Sequence, residues 1–221
     1  MKPHILLVNP NSSEATTRMM RAIAERAAGA GIAVVGATAT RSPAMIVTAG
    51  ELAASAAEVV EIGSAHDAAC VGIIVGAFGD PGAEELRSRV AVPVTGLCEA
   101  SMLAASRGRR RFGVATTTPD LVDAIADHAH RLGLAGLYAG ARCPVEDPAS
   151  LTNDQSALVE VLARKVEECI DLDGARAVII GGGPLGEAAE SLRERFAFPV
   201  LSPIRSAMEH MQNLVMAAPS R

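Results

Sequence analysis

The sequence predicts an α/β fold of two pseudo-symmetric parallel-sheet halves with a ligand cleft between them. Short β-branched runs alternate along the chain with Ala-rich amphipathic stretches. Near-continuous apolar strands separated by helices mark a parallel sheet covered on both faces. The chain also repeats itself at an offset of 105–106 residues. Its 221 residues suit one large domain or two small ones, with ample length to bury a core.

In chain order, strands are expected at 5–8, 32–38, 72–75, 93–95, 111–115, 134–138, 177–180 and 199–201. Helices are expected at 14–28, 51–66, 83–89, 101–106, 121–132, 154–172, 187–196 and 204–215, from composition and apolar spacing. The first strand, Ile5-Leu6-Leu7-Val8, closes on Asn9-Pro10-Asn11, and Ser12 or Ser13 is a natural cap for the helix that follows. The strand at 111–115 ends in Thr116-Thr117-Thr118-Pro119-Asp120, where Pro119 suits a first helical position. The strands at 72–75 and 177–180 run into glycine turns, Gly76-Ala77-Phe78-Gly79-Asp80-Pro81-Gly82 and Gly181-Gly182-Gly183-Pro184-Leu185-Gly186-Glu187. Glycines there let the backbone approach a ligand and permit a sharp strand-to-helix turn.

Three strand-plus-turn units recur in order. Ile5 to Ser12 pairs with Arg111 to Thr118, Ile74-Val75-Gly76-Ala77 with Ile179-Ile180-Gly181-Gly182, and Val92-Pro93-Val94 with Phe198-Pro199-Val200. One such pair is ordinary in an α/β chain. Three pairs holding one offset indicate duplication, with halves at 1–105 and 106–221 and a C-terminal segment that packs back onto the first half. The ligand site of such a pair is the cleft where the C-terminal strand ends face each other.

Composition removes several function classes. With four Phe, one Tyr and no Trp the chain lacks the aromatic platform of a single-strand binder, and a net charge of −5 is unsuited to nucleic acid or an anionic membrane. The longest apolar stretch, from Ala68 to Phe78, is far short of the roughly 20 residues of a spanning helix. The N-terminal apolar run is too brief for a secretory signal, so a cytoplasmic protein is expected. Cys70, Cys98, Cys143 and Cys169 are scattered, which predicts reduced thiols and neither a disulfide framework nor a metal site. No Gly-x-Gly-x-x-Gly follows the first strand and no Gly-Lys-Ser/Thr is present, so no nucleotide cofactor is expected.

The repeat-related turns supply the candidate binding groups: Asn9, Asn11 and Ser12 in the first half, Thr116 and Thr117 in the second. Each offers hydroxyl or amide side chains plus the free N–H groups of a helix start, which favour a carboxylate or polarised carbonyl oxygen. Either turn alone reads as ordinary capping, whereas two of them related by the repeat read as a ligand cradle. Gly76, Phe78, Gly181 and Gly183 join the set from the glycine turns.

Val8-Asn9-Pro10-Asn11-Ser12, Ala77-Phe78-Gly79-Asp80-Pro81-Gly82, Glu99-Ala100 after Val92-Pro93-Val94, and Arg110-Arg111-Phe112-Gly113-Val114-Ala115-Thr116-Thr117 together resemble the aspartate/glutamate/hydantoin racemase superfamily. The likeness is to its hydantoin and allantoin racemase branch, and it spans nearly the whole chain in the right order. It implies a homo-oligomeric isomerase that works on a small molecule without cofactor. It also implies two cysteines on opposite sides of a substrate carbon, one removing the proton α to a carbonyl and the other supplying a proton to the opposite face. On this chain the first of those positions falls at Ala77 and the second at Gly182, so both thiols are missing.

Cys98 lies just past the strand at 93–95, beside Glu99, and both are candidates for acid–base work near the cleft. The alternative for Cys98 is packing under the following helix. Asp80, Glu187 and Ser202 sit at other strand-end turns, where each reads equally as a solvated cap. His4, His66, His128, His130 and His210 are expected on the surface or in helix packing, and Arg107, Arg109, Arg110 and Arg111 as solvated charge. Two functions follow: an enzyme that keeps the cradle but has diverged from two-cysteine racemisation, of isomerase or lyase type, or an inert small-ligand-binding or regulatory protein derived from a racemase.

Overall fold

The computed structural model describes residues 2–145 and 154–217. Its first half contains β1 (His4–Asn9), α1 (Glu14–Ala28), β2 (Ala33–Thr38), α2 (Ala49–Ser64), β3 (Cys70–Val75), α3 (Ala83–Arg89), β4 (Val94–Gly96) and α4 (Leu97–Ala105). The second contains β5 (Phe112–Ala115), α5 (Val122–Arg131), β6 (Tyr138–Arg142), α6 (Gln155–Asp171), β7 (Ala177–Ile180), α7 (Gly186–Arg195), β8 (Val200–Leu201) and α8 (Pro203–Ala217). Each half is a four-stranded sheet, in the order β2-β1-β3-β4 and β6-β5-β7-β8. All pairings are parallel. In both sheets the connections reverse direction between the first and third strands, which places a crevice at their C-terminal ends.

Side-chain alternation divides the core into three layers. Ile5 and Leu7 of β1, Ile74 of β3, Phe112 and Val114 of β5, and Ala177 and Ile179 of β7 point into one apolar cluster shared by the halves. Their neighbours Leu6, Val8, Ile73 and Val75 face α2 and α3. Ala115, Val178 and Ile180 face α6 and α7. Strands buried on both faces explain why the sequence shows runs of apolar residues and no polar alternation.

The helix α8 packs on α1, α4, β3 and β4, so the end of the chain returns to the first half. Ile204, at its start, is 1% exposed and shares with Ile23 of α1 the space over Gly186 of α7. Arg26 and Glu187 bridge α1 and α7 at the surface, 3.3 Å apart, so Glu187 is an ion-pair partner there.

Two elements differ from expectation. The apolar run at 134–138 predicts a strand, but β6 begins at Tyr138. The preceding Leu134 to Leu137 form a turn, opened by the left-handed Gly133 (φ 70°) and closed by Leu137 N–H donating to the Leu134 carbonyl. Leu134 and Leu137 are apolar because they pack on the shared core, a demand the run satisfies without being a strand. α4 begins at Leu97, four residues before the expected 101, because its cap comes from a distant residue described below. Arg110, expected in solvent, donates to the Ala104 and Ala105 carbonyls and closes the other end of that helix.

Ile204 joins elements of both halves, and truncating it leaves a cavity at their junction. Ile204→Ala is expected to lower stability by about 2–5 kcal/mol in urea unfolding, the usual cost of a buried aliphatic truncation.

Candidate active site

A cavity of about 50 Å³ lies where the C-terminal ends of the two sheets meet. A water requires roughly 10–15 Å³ of such space, so there is room for a few waters or one small ring. From the first half come Asn11, Gly76, Ala77 and Phe78, and from the second Thr117, Gly181, Gly182 and Gly183. The two turns after β1 and β3 thus meet the two after β5 and β7. Met45, Ile46 and Leu52 on one side and Leu121, Ile125 and Leu185 on the other supply apolar walls.

Asn9 holds the first turn. Fully buried, its Nδ2 donates to Asn11 Oδ1 (2.8 Å), the Ser13 carbonyl (3.1 Å) and Thr17 Oγ1 (3.0 Å), while its Oδ1 accepts from Asn11 N–H. Ser13 N–H also donates to Asn11 Oδ1, and Ser13 caps α1 by accepting from Thr16 N–H. With Oδ1 of Asn11 committed to two donors, its orientation is fixed and its Nδ2 is left without a partner among the described residues. Asn9 is therefore a staple beneath the cavity and does not line it. Ser12 also lies outside, its N–H on the Pro43 carbonyl.

The second turn is built differently. Thr116 Oγ1 donates to the Gly181 carbonyl (2.6 Å), tying the ends of β5 and β7, so it too works behind the cavity wall. Thr117 Oγ1 has no partner among the described residues. Neither do the N–H groups of Ala77, Phe78, Thr117, Gly182 and Gly183, because these residues follow the last strand pairing and precede the first helical turn.

The glycines are required by closeness. A Cβ on Gly183 would lie 2.7 Å from the Gly76 carbonyl oxygen, and one on Gly76 would lie 2.9 Å from the Val8 carbonyl oxygen. At Gly182 the backbone is extended (φ 160°), and a Cβ would meet only Leu185 side-chain atoms, at 3.1 Å.

Among the described residues, none lining the cavity carries an ionisable side chain. Cys98 and Glu99 do not line it. Cys98 is fully buried in α4, where burial raises its thiol well above the ordinary range. Glu99 pairs with Arg87 at 2.7 Å.

Asp80, which a sequence reading allows as a solvated cap, is instead 7% exposed and accepts from Cys98 N–H (2.8 Å) and Glu99 N–H (2.7 Å). It caps α4 from the far side of α3, which is why local sequence places the helix start too late. His128, expected on the surface or in helix packing, is buried with Nε2 3.3 Å from Asp80 Oδ2. Its Nδ1 accepts from Arg131 at 3.1 Å, which puts the ring proton on Nε2. Burial pushes Asp80 up to about 7 and His128 down to about 4. Asp80, Cys98 and His128 are of metal-binding type and lie within 4.8 Å of one another. Both Asp80 oxygens and Nδ1 of His128 are already taken by N–H donors, however, and Nε2 carries a proton, so this is a protein-satisfied cluster and not an open coordination site.

The segment carrying Met45 and Ile46 is pinned at both ends by carboxylates of α2. Glu58 accepts from Thr40 N–H and Oγ1 and from Arg41 N–H, and Glu51 accepts from Val47 and Thr48 N–H. Burial opposes the charge on Glu58, but those donors hold it below the usual carboxylate range. A depressed carboxylate stabilises above its unfolded value of 4.5 and loses that contribution as pH falls through its folded value. Amide exchange in residues 40–48, corrected for intrinsic rates, is therefore expected to rise below about pH 4.5. Glu58→Gln should remove that acid step at Thr40 and Arg41 and leave the part that Glu51 supplies at Val47 and Thr48.

Residues 5–211 match the family model described as Asp/Glu/Hydantoin racemase. The chain is similar to a crystal structure of allantoin racemase from Pseudomonas fluorescens, with 27% identity, 96% of this chain and 91% of that one covered, and a TM-score of 0.90. It is 24% identical over 213 residues to hydantoin racemase of Paenarthrobacter aurescens, covering 96% of this chain and 90% of that protein. A liganded double mutant of arylmalonate decarboxylase shares the fold alone, at 15% identity and a TM-score of 0.71, with 99% of this chain and 95% of that one covered.

Proposed function

This chain belongs to the Asp/Glu/hydantoin racemase family, and from that premise we propose a cofactor-independent enzyme acting on a small carboxylate, ureide or cyclic amide at the carbon α to a carbonyl. The reaction is of isomerase or lyase type and has diverged from two-thiol racemisation. The observation that carries this is the cavity itself. Among the described residues it gathers unspent N–H and O–H donors from both halves around a space that no ionisable side chain of theirs lines. Kinship with proteins named allantoin and hydantoin racemases supports a ureide or cyclic amide.

In this reading Asn11 Nδ2, Thr117 Oγ1 and the amides near Ala77 and Gly182 hold a carbonyl or carboxylate oxygen, which their unpaired state among the described residues supports. Donors fixed in advance stabilise the negative charge that oxygen gains as an enolate forms. The proton at the α carbon then comes from or goes to solvent. Alternatively, a carboxylate on that carbon leaves as carbon dioxide, its bonding electrons pass to the carbonyl, and water protonates the carbon. Cys98 and Glu99, which the sequence offers for acid–base work, stand outside the cavity and enter neither route. We extend the same reading to halves at 1–105 and 106–221 and to a cytoplasmic homo-oligomer, which sedimentation would test. That no described residue brings an ionisable side chain to the cavity also favours the second reading, an inert binder derived from a racemase.

Single-enantiomer hydantoins, allantoin, aspartate and glutamate, followed in D₂O by NMR, should show no two-thiol racemisation, since each acid or base is worth roughly two to four orders of magnitude. Rapid α-proton exchange by the pure protein would contradict this. A wider panel of dicarboxylates, ureides and cyclic imides should reveal product from at least one. Tight binding without turnover of any member would decide for the inert binder.

Ala77 already bears a Cβ, and the extended Gly182 accepts one at the expense of a small shift of Leu185. The Ala77→Cys/Gly182→Cys variant is expected to gain α-proton exchange with inversion on a hydantoin or amino acid, and each single variant much less. A folded, ligand-binding double variant without exchange would show that these positions do not flank the reacting carbon.

A further inference from the structure

We infer that Thr118 supplies a hydrogen-bond acceptor to the cavity and so selects ligands that carry an N–H beside their carbonyl, cyclic amides and ureides, over carboxylates and esters of the same shape. The inference rests on the reading of the cavity as a ligand site and deepens it by naming the residue that chooses among its substrates.

The direction of the hydrogen bonds carries it. A threonine hydroxyl has one proton to give and two lone pairs. Thr116, which is buried, gives its proton to the Gly181 carbonyl, an atom that can only accept. Its Oγ1 also lies 3.2 Å from Thr118 Oγ1. With the Thr116 proton spent, the proton in that second bond comes from Thr118. The relay runs one way, from Thr118 to Thr116 to Gly181, and both its ends belong to residues that line the cavity. Thr118 is left with lone pairs alone.

Those lone pairs have no other use among the described residues. Thr118 precedes a short 3₁₀ turn at Pro119–Leu121, where a threonine side chain ordinarily accepts from a backbone N–H, yet no such bond forms. The turn is closed by Leu121 N–H on the Thr118 carbonyl, and Pro119 has no N–H to offer. The neighbouring polar groups have the opposite sense. Asn11 Oδ1 is committed to two donors, so Asn11 presents its Nδ2, and Ala77, Phe78, Gly182 and Gly183 present N–H groups. Their carbonyls offer little in return: that of Ala77 accepts from Asp80 N–H, that of Gly181 from Thr116 and that of Gly182 from Leu185 N–H. A ring carbonyl satisfies the donors, and an N–H on the atom beside it satisfies Thr118. A carboxylate or an ester brings oxygens to both places, and Thr118 can donate to one only by abandoning Thr116.

Three neutral rings of one shape test this without charge or turnover: ethylene urea with two N–H groups, 2-oxazolidinone with one and ethylene carbonate with none. Their affinities are read from NMR shifts of the Gly182 and Gly183 amides, which confines the readout to the cavity. Wild-type protein is expected to bind ethylene urea about five- to tenfold more tightly than ethylene carbonate, the worth of one hydrogen bond between neutral groups, with 2-oxazolidinone not weaker than the carbonate. Thr118→Val keeps the branched shape and leaves Thr116 on Gly181; it should lower the ratio to about twofold or less by weakening ethylene urea alone. Thr118→Ser should restore the ratio. Thr116→Val frees the Thr118 proton and should narrow the ratio from the other side, by strengthening ethylene carbonate. If Thr116→Val does not fold, the two Thr118 variants decide. Rings that bind with the same ratio in wild type and Thr118→Val would overturn the inference and leave the cavity standing as a ligand site. Absence of any shift with all three rings would overturn both, whereas the reaction itself is decided separately by the exchange experiments in D₂O.

Discussion

The site depends on a backbone-to-backbone approach. Gly183 of the second half sits so close to the Gly76 carbonyl of the first that no Cβ fits between them. Gly76 directly follows β3 and Gly183 lies three residues beyond β7, and both lie where the strand order reverses. Side chains at that point would push the sheets apart by the width of a methyl group and spread the free amides beyond the reach of one ligand. The cavity, its amides and the shared apolar core are consequences of that approach.

Around this contact the fold uses carboxylates to secure backbone that regular structure leaves unpaired. Asp80 takes two amides at the start of α4, Glu58 takes two from Thr40 and Arg41, and Glu51 takes two from Val47 and Thr48. None of the three lines the cavity; each secures backbone beside the segments that do. A carboxylate that accepts backbone N–H groups fixes a loop more firmly than apolar packing does, because the contact is directional and charge-assisted. These charged groups are thus spent on shape, and the lining that the described residues give the cavity is neutral.

The sequence is most legible where a requirement is local. The parallel strands, the repeat offset and the turns bearing Asn11, Ala77, Thr117 and Gly182 follow from apolar runs and from residues adjacent in the chain. It fails where the partner is remote. Asp80 and α4 are separated by α3 and β4, so no local signal marks Leu97 as a helix start. Leu134 and Leu137 satisfy the core from a turn, which composition cannot distinguish from a strand. Asn9 and Thr116 look like binding residues because they are polar at strand ends, but their hydrogen bonds run backward into the scaffold. His128 carries no signal, since an imidazole on an amphipathic helix reads as surface until the opposing half is in place.

A neutral cavity changes what its donors can accomplish. A donor helps the chemical step only as far as it holds the ligand oxygen more strongly in the enolate than in the carbonyl, since uniform binding does not accelerate that step. Neutral amides and a hydroxyl interact weakly with a carbonyl and more strongly with the enolate it becomes, and in a site with apolar walls that difference is screened little. On the reading proposed above, with Ala77 and Gly182 where a two-thiol racemase carries its cysteines, the proton carriers are absent while the element that discriminates between ground state and enolate remains. That element is made of backbone and of glycine spacing, which is why it persists when the reactive side chains do not.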